Sequence, residues 1–280
     1  MNFNAKRLPV LRPEKAAFPL TLRHLYPLST LSFQEKSDVL LGANPPSFPD
    51  CETMILLGLD ASTPKGSVAL LKDRQVIAES VGSSTFSDQL LVLVDEVLGK
   101  LDRGLEEVDG FCVTTGPGSF TGLRIGVSLI KGLVLATEKP FWAINTLEAY
   151  ANLVEPVSQP ICPILDARKK EVYTAKFKYT NDKLVRETPD HAVSPQELCD
   201  LTQEPTVFLG GGVEPYGDFL PSQLGNKFID QAPVKNQTVA ASAAQLAFNR
   251  FQASPCFDLD ALTVHYVRKS EAELNSNILN

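Results

Sequence analysis

A chain of 280 residues, 44 % hydrophobic, has room for one large or two modest domains and enough apolar side chains for a core. Its net charge of −7 argues against a nucleic-acid binder working through bulk charge and leaves only a local basic patch for a weak RNA contact. Cys51, Cys112, Cys162, Cys199 and Cys256 are odd in number and form no CxxC, so they read as reduced thiols of a cytoplasmic protein. His24, His191 and His265 make no HxxxH or HExxH pair, so no metal site is expected, and no apolar run reads as long enough to cross a membrane.

Residues 1–53 hold seven of the twenty prolines and one glycine, with little periodicity. They read as an extension, either a disordered tail or a misplaced start ahead of Met54, and carry no secretory apolar core. From Met54 the pattern is regular. MILLGLD (54–60) is a continuous apolar run and predicts a buried strand. GSVALLK (66–72) and QVIAESV (75–81) follow at hairpin spacing. Helices are expected over 87–101 and 120–136, around a strand at 111–115. A strand at 141–146 and a helix at 147–154 complete a first lobe, 54–156.

The same order then returns in a second lobe, 157–280. Strands are expected at 161–167 and 171–179, with a poorer run at 184–193. A helix with Pro195 in its first turn follows, then TVFLGGG (206–212) as a strand ending in three glycines. A short helical piece near 214–221, a strand at 227–230 and an alanine-rich helix at 238–251 come after, and the C-terminal tail is expected to reach back to the first lobe. Three strands, a helix and a strand, repeated, predict two related α/β lobes facing a cleft.

The most informative stretch is GPGSFTGLRIG (116–126), a glycine corner between strand and helix. Gly116 and Gly118 permit unusual backbone angles, and Ser119 can cap the helix. Such a corner either presents N–H groups to an anion or is a turn that needs glycine for geometry alone. Asp60 and Asp166 each end the first strand of a lobe, the arrangement of the actin–sugar kinase–Hsp70 fold. In working members of that superfamily the loops that follow carry glycine to approach phosphate. Here they read Asp60-Ala61-Ser62-Thr63 and Asp166-Ala167-Arg168-Lys169, so the expectation is a vestigial nucleotide site. Gly210, Gly211 and Gly212 either approach an adenosine or form a plain turn.

These segments resemble the TsaB (YeaZ) family. The resemblance rests on ILLGLDAST (55–63), GPGSFTGLRIG (116–126), INTLEAYA (144–151), ILDARKKEVY (164–173) and YVRKSEAEL (266–274). It implies a non-catalytic subunit, with no catalytic residue and no required cofactor, that pairs with TsaD, is joined by TsaE, and meets tRNA only through the complex. In that complex TsaD transfers a threonylcarbamoyl group to the adenosine beside the anticodon, with ATP or ADP at the assembled complex. One departure is visible: Phe86 stands where many members have a histidine.

The helices carry an independent sign of partnership. On 120–136, Leu123, Val127, Ile130 and Val134 make one apolar stripe, and Ile125, Leu129, Leu133 and Ala136 another. Helix 87–101 repeats this with Leu91 and Leu98 off its main face. An interface is therefore expected at Leu91, Leu98, Leu123, Arg124, Val127, Leu129 and Leu133, serving a homodimer when TsaD is absent. The alternatives are an ATP-dependent kinase of the same fold, which would need glycine in both loops, and a glycopeptidase-like hydrolase, in which Ser119 would need His191 or His265 as its base.

Overall fold

The computed structural model describes residues 53–82, 89–230, 232–251 and 256–268, without the side chain of Phe251. The extension up to residue 52, the stretch containing Phe86, the expected start of the 87–101 helix and the tail from 269 onward lie outside the described residues.

The first lobe contains β1 (Ile55–Asp60), β2 (Ser67–Lys72), β3 (Gln75–Val81), α1 (Leu90–Leu98), β4 (Gly110–Gly116), α2 (Phe120–Thr137), β5 (Phe141–Asn145) and α3 (Thr146–Ala151). The strands form one sheet in the order β3-β2-β1-β4-β5, with β1 antiparallel to β2 and parallel to β4. All six residues of β1 are buried, because helices cover both faces of the sheet. Strand alternation sends Ile55, Leu57 and Leu59 into the cluster under α1 and α2, and Leu56 into the opposite one.

The second lobe contains β6 (Ile161–Arg168), β7 (Glu171–Thr174), β8 (Phe177–Thr180), β9 (Lys183–Arg186), β10 (His191–Val193), α4 (Pro195–Leu201), β11 (Thr206–Leu209), α5 (Phe219–Leu224) and β12 (Phe228–Ile229). Its main path runs β10-β7-β6-β11-β12, which repeats the first sheet strand for strand. The chain thus has the duplicated, two-lobed architecture of the actin–sugar kinase–Hsp70 type. The expected strand 171–179 is broken into β7 and β8, and β8 with β9 forms a hairpin inserted beside β6.

α6 (Val239–Phe251) departs from its expected place. Although it follows the second lobe in sequence, Ala243, Ala244 and Ala247 pack with Leu56, Cys112 and Trp142 of the first sheet. Small side chains let it lie close: a Cβ on Gly58 would stand 2.5 Å from the Ala240 carbonyl oxygen.

α2 is 18 residues long and apolar enough to cross a membrane by length and composition, contrary to the sequence expectation. Here it lies against the first sheet through Leu123, Val127, Ile130 and Val134. These four are buried in the chain's own core, so Leu123 and Val127 are not interface residues. Their spacing of three and four is that of one helix face. Leu98, Leu129 and Leu133 flank the same core half-buried, whereas Leu91 and Arg124 are exposed. Burial also accounts for the thiols: it pushes Cys112 up to about 12 and Cys162 up to about 11, so neither ionises near neutrality.

The seat of α6 gives a stability test. Gly58→Ala should cost about 1–3 kcal/mol in denaturant unfolding, since the added methyl meets backbone that cannot rotate away. An unchanged unfolding midpoint would show that α6 is not held this closely.

Candidate functional site

β1 and β6 end at a cleft of about 710 Å³ between the lobes. The Ser62–Pro64 loop, the glycine corner, the β6–β7 turn and Arg268 line it. Of the residues expected at a vestigial nucleotide site, Ser62, Thr63, Gly118, Ser119, Asp166 and Gly211 line this cleft, whereas Asp60, Gly116, Gly210 and Gly212 do not. The structure also changes what most of them do.

Asp60 is 1 % exposed. Its Oδ1 accepts from the Ser62 N–H (3.1 Å) and the Thr114 hydroxyl (2.6 Å). Asp60 Oδ2 and Ser62 Oγ are buried without partners. Burial pushes the Asp60 carboxyl above the ordinary range, against the pull of the Ser62 and Thr114 donors. Burial, and next the Asp60 charge, likewise raise the Tyr150 hydroxyl. Asp60 therefore acts inside the lobe, not at the cleft surface.

The glycine corner serves chain packing. A Cβ on Gly118 would fall 2.5 Å from the Ser62 carbonyl oxygen, which accepts from the Ser119 N–H at 2.7 Å. Gly116 has φ +128°, and its missing side chain leaves room for the His265 carbonyl. Ser119 Oγ caps α2 by accepting from Gly122 N (3.3 Å). Of the two readings of this corner, the geometric one accounts for both glycines. The triple glycine behaves alike: Gly210 and Gly212 press on the carbonyl of Ile164, and only Gly211 lines the cleft.

On the second lobe the cleft is cationic. Arg168, Lys169 and Lys170 all have positive φ (62°, 54° and 62°), a strained run for residues with side chains. The Asp166 carboxylate holds the turn, accepting from the Arg168 N–H at 2.7 Å and pairing with its guanidinium at 3.3 Å.

The segment Val264–Arg268, at the head of the tail expected to reach back to the first lobe, straps the two lobes together. The His265 N–H donates to the Thr115 carbonyl at 2.8 Å. Tyr266 stacks on Phe120 with centroids 4.8 Å apart and accepts from Arg124 Nε at 2.8 Å. Arg268 pairs with Glu171 at 2.6 Å. His265 Nε2 lies 3.1 Å from Asp190, a 5 % exposed carboxylate that also pairs with Arg186 and accepts from Asn145 of the first lobe. His265 lies on Asp190 and Ser119 Oγ caps its own helix, so these two side chains are engaged elsewhere. In the sequence the strap shows as HYVR (265–268), in which His265, Tyr266 and Arg268 flank one valine, running into the family segment YVRKSEAEL.

The Asp60 site makes a pH-dependent prediction. A carboxyl whose folded pKa is raised contributes stability that is full below the unfolded value, about 3.9. That contribution is lost as pH rises through the folded value. Asn at this position keeps the Oδ1 acceptor and never ionises. Asp60→Asn should therefore raise the melting temperature at pH 7, with the gain shrinking toward pH 4. A gain independent of pH would refute this account.

Comparison with known proteins agrees with this geometry. The family model described as TsaD, tRNA N6-adenosine threonylcarbamoyltransferase, matches residues 76–257. The tRNA threonylcarbamoyladenosine biosynthesis protein TsaB of Bacillus subtilis is 31 % identical, over 79 % of this chain and 96 % of that one. Its Haemophilus influenzae counterpart is 29 % identical, over 62 % and 78 %. The solved structure of YeaZ from Pseudomonas aeruginosa superposes with a TM-score of 0.62 at 21 % identity, over 76 % of this chain and 99 % of that one. With both lobes accounted for, the chain belongs to the TsaB family.

Proposed function

We propose that this chain is the non-catalytic partner subunit in threonylcarbamoyl transfer to the adenosine beside the anticodon of tRNA. It pairs with TsaD, is joined by TsaE, and forms a homodimer when alone. Family membership supports the pathway. The loops at Asp60 and Gly118 support the absence of catalysis by this chain, because backbone and buried side chains fill the space a phosphate would take. The same packing disfavours the kinase alternative.

The observation that carries the pairing is Gly132. It lies in the middle of α2, is exposed, and has no atom within 4 Å of where a Cβ would be. A mid-helix glycine costs about 1 kcal/mol relative to alanine, and among the described residues none comes close enough to require it. Gly126, by contrast, is explained internally, since Leu59 and Ala61 leave no room for a side chain. Beside Gly132 on the outward side, Leu135 is 69 % exposed, and on α1 Leu91 and Val92 are each 62 % exposed. An apolar surface with a gap for a second backbone suits a helix-packed interface. The interface reading therefore moves from Leu123 and Val127 to Gly132, Leu135, Leu91 and Val92, flanked by Leu129 and Leu133.

Gly132→Leu separates folding from pairing. It should raise the melting temperature, because leucine is the better helix former, and weaken binding to cognate TsaD at least ten-fold by calorimetry. tRNA modification by the reconstituted complex should fall with it. Leu135→Glu should lose binding without losing stability. Wild-type affinity in both variants would place the interface elsewhere.

A further inference from the structure

The cleft carries a second property that pairing does not use. Four cations line it, Arg124, Arg168, Lys169 and Arg268, against one lining acid, Asp166. This is a local reversal in a chain of net charge −7. The cations come from three separate segments, α2, the β6–β7 turn and the C-terminal strap, so the cluster is assembled by the fold and is not a sequence run. Two of them, Arg168 and Lys169, sit where β6 turns tightly into β7, and the positive φ of that hairpin holds them at the cleft. The Arg168 side chain is 81 % exposed. Phe120 lines the cleft, and Tyr266, stacked on it, keeps 39 % of its surface exposed.

Cations on one wall and aromatic rings on another are the two parts of a single-strand nucleic-acid site. The charges meet phosphate, and the rings offer a face or edge to a base. Ser62 and Gly118 are in backbone contact, so these two lining loops leave no gap between them for a phosphate. The outer half, walled by exposed Arg168 with Lys169 and Phe120, suits one phosphate and one base presented from outside.

We propose that the outer half of this cleft binds a nucleoside-phosphate unit of single-stranded RNA, with Arg168 and Lys169 on the phosphate and Phe120 and Tyr266 against the base. This goes beyond the partner-subunit reading, because it gives the chain its own contact with RNA. It is tested on the isolated chain, so its failure leaves the pairing with TsaD untouched.

The test is fluorescence anisotropy of a labelled twelve-nucleotide single-stranded RNA titrated with the full chain at low salt. Binding should weaken with salt, by about 0.7 in the log–log slope for each phosphate contact. Arg168→Gln with Lys169→Gln should lower affinity at least ten-fold and flatten that slope by about 1.4. Tyr266→Ala should lower affinity about ten-fold and leave the slope unchanged. Lys183→Gln, which removes a cation of β9 outside the cleft, should bind as wild type. Melting curves establish that each variant is folded. Free AMP or ATP should compete only at concentrations far above that of the RNA, and duplex RNA of the same sequence should bind more weakly. No binding at low salt would overturn the proposal. So would equal losses in the cleft and Lys183 variants, unchanged affinity in the Arg168/Lys169 double variant, or competition by free nucleotide at the RNA's own concentration.

Discussion

The corner between β4 and α2 has no room for side chains, and most of the molecule is arranged around that fact. Ser62 presses on Gly118 from one side and His265 presses on Gly116 from the other, each through backbone. The first contact joins the loop after β1 to the start of α2. The second lets the C-terminal strap cross from one lobe to the other. A methyl group at either glycine would push apart segments that are far separated in sequence. The motif is therefore a packing device before it is anything else. Its glycines are needed because two other chain segments, not a ligand, come within contact of them.

The strap turns that corner into a connection between lobes. Asp190, almost fully buried, gathers Arg186 from its own lobe, Asn145 from the end of β5, and His265 from the strap. Arg186 also donates to Asn145 Oδ1 at 2.7 Å and lies over the Phe177 ring. A buried carboxylate with three polar partners is strongly held, and removing any one would leave charge or donors unmatched. These groups tie the first lobe, the second lobe and the strap to one another. The α6 helix adds an apolar tie by returning to the first sheet after the second lobe is complete.

Much of this was legible in the sequence because it obeys short-range rules. Continuous apolar runs marked β1 and β6, and repetition of strand and helix order gave the duplicated lobes. Ser119 before FTGLRIG announced a helix start. What escaped was set by long-range contact. Nothing local says that Leu123 and Val127 face the sheet while Gly132 and Leu135 face out, because both stripes of α2 are apolar. An alanine-rich helix at 238–251 carries no label for the lobe it will cover. The role of Asp60 was misread for the same reason: a carboxylate at a strand end reads as a ligand until Thr114 and Ser62 are seen to enclose it. The strap, with His265, Tyr266 and Arg268, has no periodicity at all, and its partners, from Thr115 to Asp190, all lie far back in the chain.

α2 shows how these demands share one element. Its inner face, from Leu123 to Val134, is spent on the core of the first lobe. Its first turn brings Phe120 and Arg124 to the cleft and to Tyr266. Its outer face offers Gly132 and Leu135 to a neighbour. An 18-residue helix is about 27 Å long and stiff, so a partner seated on the outer face and a ligand at the first turn meet the same rigid body. That arrangement explains why the helix is apolar beyond what one core requires and yet keeps an arginine near its start. It also explains why a glycine that weakens the isolated helix persists at its middle. On the proposed pairing, the helix serves the assembled state, and the isolated chain carries the cost of Gly132.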